Sequence, residues 1–320
     1  MKTPARAFVA AVLFAGAASA QTYPEKPVRV IVPFPAGGAA DIVARQVAQG
    51  LSSGFGTQVI VDNRAGAGGA IGTELVARAQ PDGNTLLFAS SSALSINPHL
   101  SATTPYDPMR DFTPIVFIAS APNVLVIHPS VPARTVKELI AVAKVKPGAL
   151  NFASNGAGTL SHLTGELFMQ RSGIRMVHVP YKGAAPATID VMAGNVTLLF
   201  AAFPSVSAQM RTGRLRALAV TSAKRAALAP ELPTIAEAAL PGFESSQWWG
   251  IYGPAGVPGP IVNRLNAETN KVLKSADVVK RLAADGAEPT GGTPAALAAY
   301  HRADFEKWGK VVKASGIKPE

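Results

Sequence analysis

Short apolar, β-branched runs recur along this chain, each entering a turn of glycine, serine or proline and then residues at helical spacing. The first is Val28 to Pro33, followed by Phe34-Pro-Ala-Gly-Gly-Ala-Ala-Asp41 and by Ile42, Val43, Gln46, Val47 and Leu51, spaced to share one helix face. Gln58 to Asp62 repeats the strand signal, Asn63 to Gly72 is rich in glycine, and Thr73 to Ala79 reads as a helix that stops before Pro81-Asp-Gly83. Thr85 to Ala89 is a third strand, running into Ser90-Ser91-Ser92. Strands that alternate with helices must cross over and pair in parallel, and a parallel sheet buries both faces. The pattern therefore predicts an α/β protein, not a helical bundle or coiled coil.

The same logic resumes after Pro122. Val124 to Ile127 reads as a strand, and Thr135 caps a helix to Ala143, with Glu138 placed for a capping box and Pro147-Gly148 as the stop. Asn151 to Ala153 enters Ser154-Asn-Gly-Ala-Gly-Thr159 and a helix through Leu163, Leu167 and Phe168. Met176 to Val179 leads into Pro180-Tyr-Lys-Gly183 and a helix to Met192; Val196 to Phe200 precedes a helix to Arg211, and Leu215 to Val220 closes the set. From Trp248 onward there is one strand, Trp248 to Tyr252, and then helices. The last is capped by Thr293, has Pro294 at its first position, and carries Leu297, His301, Asp304, Trp308 and Val311 on one stripe. This tail has too little strand for a sheet of its own and is expected to pack back onto one of the earlier two.

Composition excludes several functions. No cysteine occurs among the 320 residues, which removes thiolate metal sites, catalytic thiols and disulfides. The net charge is +10, but the basic residues are scattered singly, without the run that tracks nucleic-acid phosphates. The five histidines are too dispersed for a compact ligand set; His162 and Glu166, at i and i+4, are either the start of a metal site or a plain surface pair. The first twenty residues read as an export signal: Lys2 and Arg6, an apolar stretch from Ala7 to Ala17, and the small-residue site Ala18-Ser19-Ala20. Cleavage after Ala20 would lower the charge to about +8 and deliver the chain to a periplasm.

The turns carry the chemistry. Gly37-Gly38, between a buried strand and a helix, exposes backbone N–H groups where the helix dipole favours an anion; the same glycines also serve as a tight turn and nothing more. The turns at Ser90 to Ser92, Ser154 to Thr159 and Pro180 to Gly183 also follow strand ends, where α/β sheets collect ligands, so the four together suggest a cleft between two domains. The run from Gly66 to Gly72 resembles a dinucleotide fingerprint but has Ile71 where the third glycine belongs. No Gly-x-Ser-x-Gly elbow occurs between a strand and a helix. One of Trp248 and Trp249 is expected in the core, the other or Tyr181 against a ligand.

These residues also carry a resemblance. Tyr23-Pro24, Pro27-Val-Arg-Val-Ile-Val-Pro-Phe-Pro-Ala-Gly-Gly38 with Asp41, Val61-Asp-Asn-Arg-Ala-Gly-Ala-Gly-Gly-Ala-Ile-Gly72, Pro81-Asp-Gly83, Val179-Pro-Tyr-Lys-Gly183, Leu215-Arg-Ala-Leu-Ala-Val220 and Pro254-Ala-Gly256 resemble the Bug family. These are the extracytoplasmic solute receptors of tripartite tricarboxylate transporters. The resemblance implies a two-domain periplasmic-binding-protein fold of the Venus-flytrap, type II-like kind, with the ligand cleft between domains. It places one domain over 22–121 plus 248–320 and the other over 122–247. It implies a periplasmic receptor that captures a small organic carboxylate and hands it to membrane permease subunits, with no catalysis; a monomer without cofactor, metal or nucleic-acid partner is expected.

Carried over by motif, Phe34, Ala36, Gly37, Gly38 and Asp41 would hold one carboxylate through backbone amides and ordered water. Ser90, Ser91 and Ser92, then Ser154, Asn155, Gly156 and Thr159, then Tyr181, Lys182 and Gly183 would add contacts, with Trp248 near the hinge. Where the family often has Phe-Asp after a strand, this chain has Ala201 and Ala202, which argues for a more apolar ligand than an amino acid. A secreted α/β hydrolase working through Asp41 or His162 on a small anionic substrate is the alternative.

Overall fold

The computed structural model describes residues 23–316 apart from 102 and 228, so the export signal expected over 1–20 lies outside the described residues. In chain order the elements are β1 (Val28–Val32), α1 (Ala39–Phe55), β2 (Val59–Asn63), α2 (Ala70–Ala77), β3 (Thr85–Ser90), α3 (Asn97–Leu100), β4 (Phe112–Ile127) and α4 (Val136–Val145). Next come β5 (Asn151–Ser154), α5 (Leu160–Ser172), β6 (Val177–Pro180), α6 (Ala184–Met192), β7 (Leu198–Ala202), α7 (Phe203–Arg211), β8 (Arg216–Val220) and α8 (Ile235–Ala238). The tail adds β9 (Ser246–Pro254), α9 (Gly259–Leu273), α10 (Ala276–Ala284), β10 (Glu288–Pro289) and α11 (Pro294–Ser315). No helix among the described residues is long and apolar enough to cross a membrane.

The strands follow the order β2-β1-β3-β9-β4-β7-β5-β6. Strands β2, β1 and β3 are parallel, as are β6, β5 and β7, each set built from the crossovers the sequence predicts. Between the sets run two antiparallel strands, β9 and β4, that local patterning did not foresee as neighbours. The tail does pack back onto an earlier sheet, by inserting β9 between β3 and β4. Strand β4 also begins at Phe112 rather than Val124: Pro114 and Pro122 interrupt the periodic signal, yet the strand continues past them with register shifts near Pro114 and Phe117. Its first part pairs with β9 and β10, its last part with β7 and β8, so one strand serves both halves.

Side chains alternate across these strands and are buried on both faces. In the first half, Val30, Val32, Phe88 and Trp249 pack under α1 and α9, while Ile31, Leu87, Phe117 and Trp248 pack on the opposite face with α2 and the start of α11. In the second half, Leu125, Ile127, Phe152 and Phe200 meet α4 and α5, and Val124, Val126 and Leu199 meet α6 and α7. Helix α11 joins the halves: Leu297 lies on the first sheet, whereas Trp308, Val311 and Val312 pack into the second half's core.

The two polar residues on the apolar stripe of α11 explain how it is anchored. Asp304, 4% exposed, accepts the indole N–H of Trp248 at 2.7 Å and pairs with Lys307 at 2.8 Å; His301 lies 3.3 Å from the Leu94 carbonyl. Removing a buried partner costs the desolvation of the group left behind, about 1–3 kcal/mol. We therefore expect Asp304→Ala to lower the unfolding free energy by that amount, read as a lower urea midpoint with an unchanged m-value. A midpoint equal to the parent's would show that the buried indole N–H does not depend on this carboxylate.

Candidate functional site

Five loops leave the carboxyl ends of parallel strands: 33–38 after β1, 64–69 after β2, the segment from Ser91 after β3, 155–159 after β5 and 181–183 after β6. The strand ends bring the expected loops to one edge of each half.

The loop after β1 is held from below. Gly72 packs so tightly under it that a Cβ would lie 2.6 Å from the Arg64 carbonyl oxygen and 2.9 Å from the Pro33 Cα. Gly72 is thus accounted for by close backbone approach, and Gly66, Gly68 and Gly69 by their positive φ. Asn63 Nδ2 donates to the Phe34 carbonyl at 3.1 Å, and Asp41, 4% exposed, accepts from the Gly37 amide at 2.9 Å and from Arg45 at 3.0 Å. Burial alone would raise the Asp41 pKa, but the Arg45 guanidinium and the Gly37 amide outweigh it and hold the carboxyl below its usual range. Asp41 is therefore a clamp on the turn, with its oxygens already engaged. Ala36, Gly37 and Gly38 are exposed and Phe34 is half-buried. Gly38 caps α1 with no side-chain acceptor for the first-turn amides, which leaves a carboxylate-sized need at a 17-residue helix terminus.

After β3 the chain makes a π-helical turn over Ser92–Ile96 before α3, a feature that local periodicity does not mark. Ser90, Ser91 and Ser92 are buried; Ser90 Oγ accepts from the Ala93 amide, whereas Ser91 Oγ is buried without a protein partner. From this turn Asn97 donates to the Gly68 carbonyl at 2.5 Å.

In the second half, Ser154 is fully buried and Thr159 Oγ1 donates to the Gly156 carbonyl at 2.7 Å, which ties the loop into a closed turn. Asn155 accepts the Gly183 amide on its carbonyl, and Ser154 accepts that of Tyr181, so the loops after β5 and β6 form one surface; the Asn155 Oδ1 is buried and unpartnered. Tyr181 donates to Asp190 at 2.6 Å, and burial together with that carboxylate pushes its phenol up to about 12. Lys182 is exposed. The two halves touch through these loops: a Cβ on Gly158 would lie 2.8 Å from Leu100 Cδ1 and 3.8 Å from Asn97 Oδ1.

Two expected contacts, Trp248 and Ala201, are drawn into the core. Trp248 is fully buried with its N–H spent on Asp304, and Trp249 is buried on the other face of β9, so both tryptophans are core. Ala201 is 1% exposed in an apolar cluster with Val124, Val126 and Val206; Ala202, half-buried, caps α7. Buried His162 and half-buried Glu166 lie 3.5 Å apart, and no group of three metal-ligating side chains occurs among the described residues. A cavity of about 710 Å³ opens beside α7 and β8, walled by Met210, Arg211, Arg216, Glu231 and Leu232; none of the expected site residues lines it.

The chain matches the tripartite tricarboxylate transporter family receptor over residues 43–317. It is similar to Protein BugT of Bordetella pertussis, 39% identical across 97% of this chain and 96% of that one. Among solved structures it resembles R. palustris Rpa4515 with adipate, 37% identical with TM-score 0.87, covering 93% of this chain and all of that one. It also resembles MatC from Rhodopseudomonas palustris with bound malate, 30% identical with TM-score 0.82, covering 91% of this chain and all of that one. The two-domain periplasmic-binding-protein fold follows from these likenesses.

Proposed function

The chain belongs to the tripartite tricarboxylate transporter receptor family, and from that premise we propose that it is a periplasmic receptor that closes on a small organic carboxylate and delivers it to membrane permease subunits. The carrying observation is the meeting of strand-end loops from both halves, with the uncapped first turn of α1 on one side and the loops after β5 and β6 on the other. A carboxylate satisfies such a turn through backbone amides and the helix dipole, without a dedicated cation. The lobes divide into 22–121 with 248–320 and 122–247; β4 crosses between them, and α11 reaches from the first into the second. Closure about that crossing is the motion expected of such a pair of lobes.

The receptor binds without turnover. Ser154 and His178 lie within hydrogen-bond distance, but Ser154 is fully buried and no carboxylate is bonded to that imidazole, so the pair lacks the access and the orienting acid of a hydrolytic site.

A thermal-shift panel tests the reading: adipate, malate, citrate, aromatic carboxylates, amino acids and NAD, each at about 100 times its dissociation constant or at 1 mM for non-binders. Saturation at that ratio adds about 2.7 kcal/mol to folding, enough for a rise of several degrees. A shift with one or more carboxylates, and the same compound recovered unchanged, is the expected outcome. Shifts confined to NAD, or conversion of the bound compound, would refute the receptor reading.

A further inference from the structure

Two imidazoles lie directly behind the loop that the second half turns toward the cleft. His162 of α5 and His178 of β6 stack with centroids 3.7 Å apart and planes 7° from parallel, and Phe152 of β5 stacks against His178 at 4.9 Å. Both rings are bonded to the loop. His162 Nδ1 accepts the Gly158 amide at 3.1 Å, so that nitrogen carries a lone pair and the neutral ring keeps its proton on Nε2, which faces Glu166 at 3.5 Å. His178 Nε2 meets Ser154 Oγ at 2.6 Å, and that hydroxyl also bonds the backbone of Gly156.

We propose that the His162–His178 stack is a positioning pair that holds the 154–159 loop in its ligand-binding shape only while both rings are neutral, so that the cleft loses affinity as the stack takes up a proton. The proposal rests on the receptor reading. A proton on His162 occupies Nδ1 and turns an acceptor into a donor aimed at another donor, the Gly158 amide. Gly158 is the residue that meets Asn97 and Leu100 of the opposite half, so its displacement is felt where the halves touch.

A carboxylate, an apolar ring and a hydroxyl face the stack. Glu166, on the same helix as His162, is the acidic group in contact; β5 presents the Phe152 phenyl and the Ser154 hydroxyl, and β6 presents His178 itself. Burial first, and the neighbouring His162 second, push His178 down to about 4. Two cationic imidazoles 3.7 Å apart would repel, so the stack resists a second proton.

The test combines adipate titration with exchange of the Gly158 amide, from pH 7.5 to pH 4.5, in the parent, His162→Asn and His162→Phe. The Asn carboxamide oxygen replaces Nδ1 as acceptor and does not titrate; Phe keeps a stacking ring but has no acceptor. In the parent, affinity for the adipate dianion, corrected for the ligand's own protonation, should fall about tenfold or more across this range while Gly158 protection, corrected for intrinsic exchange, falls with it. His162→Asn should bind with nearly parent affinity at pH 7.5 and stay flat, and His162→Phe should be weak and poorly protected throughout. A pH dependence in His162→Asn equal to the parent's, or parent-like protection in His162→Phe, would overturn the proposal. If adipate fails to bind the parent at any pH the receptor reading suffers, but the Gly158 protection still decides the positioning role; if His162→Phe does not fold, the parent and His162→Asn profiles decide it.

Discussion

Gly38→Val is expected to abolish carboxylate binding in a protein that still folds. Gly38 has φ −79° and ψ 168°, an extended conformation open to any residue, and a Cβ there would meet the Pro35 carbonyl oxygen at 3.5 Å, an ordinary contact. The fold therefore tolerates the substitution, at the small cost of a poorer helix cap. The ligand does not: a branched side chain at the N-cap stands between solvent and the first-turn amides. Hydrogen bonds to a charged group are worth about 1.5–3 kcal/mol each, so losing two of them weakens binding by about 10²–10⁴-fold. Calorimetric titration with the carboxylate that shifts the parent most, alongside circular dichroism, measures both halves of the expectation. Parent-like affinity in folded Gly38→Val would remove the loop after β1 from the site.

Ala201→Asp is expected to strike the fold itself. On sequence grounds a carboxylate at this position would act in the pocket, by like charge against the ligand. The structure puts Ala201 at 1% exposure among the apolar side chains of Val124, Val126, Leu199 and Val206. An unpaired buried charge costs about 3–5 kcal/mol, a large part of a typical domain's stability. The pH dependence follows from linkage: burial raises the folded-state pKa above the unfolded one, so the folded state holds its proton longer. The deficit is then smallest near pH 4 and grows by about 1.4 kcal/mol per pH unit until the buried carboxyl ionises. Urea unfolding of parent and variant at pH 4, 5.5 and 7 checks this. A variant as stable as the parent at pH 7, with weakened ligand binding, would return Ala201 to the pocket.

Legibility differed by element for physical reasons. The first-half units read correctly because Val28 to Val32 and Thr85 to Ser90 are buried on both faces, which forces continuous apolar runs that survive any tertiary context. The loop glycines read correctly as loop residues but incompletely as chemistry. Gly37 and Gly38 are exposed at a helix terminus, whereas Gly72 owes its identity to Pro33 and Arg64, residues that only the fold brings under it. Trp248 misled because an aromatic at a strand start fits a ligand wall and a core equally well; its partner, Asp304, lies 56 residues away. The π-helical turn over Ser92–Ile96 has no periodic signature that separates it from an α-helical start.

By itself the sequence determined the βα units, the strand-end loops and the all-round burial, since propensity, turn chemistry and periodicity act over a few neighbouring residues. Tertiary structure alone decided that β9 slides between β3 and β4, that one proline-interrupted strand serves both halves, and that His162 and His178, dispersed in the chain, stack behind the binding loop. Those outcomes depend on which distant surfaces find complementary partners, and no local pattern encodes the partner.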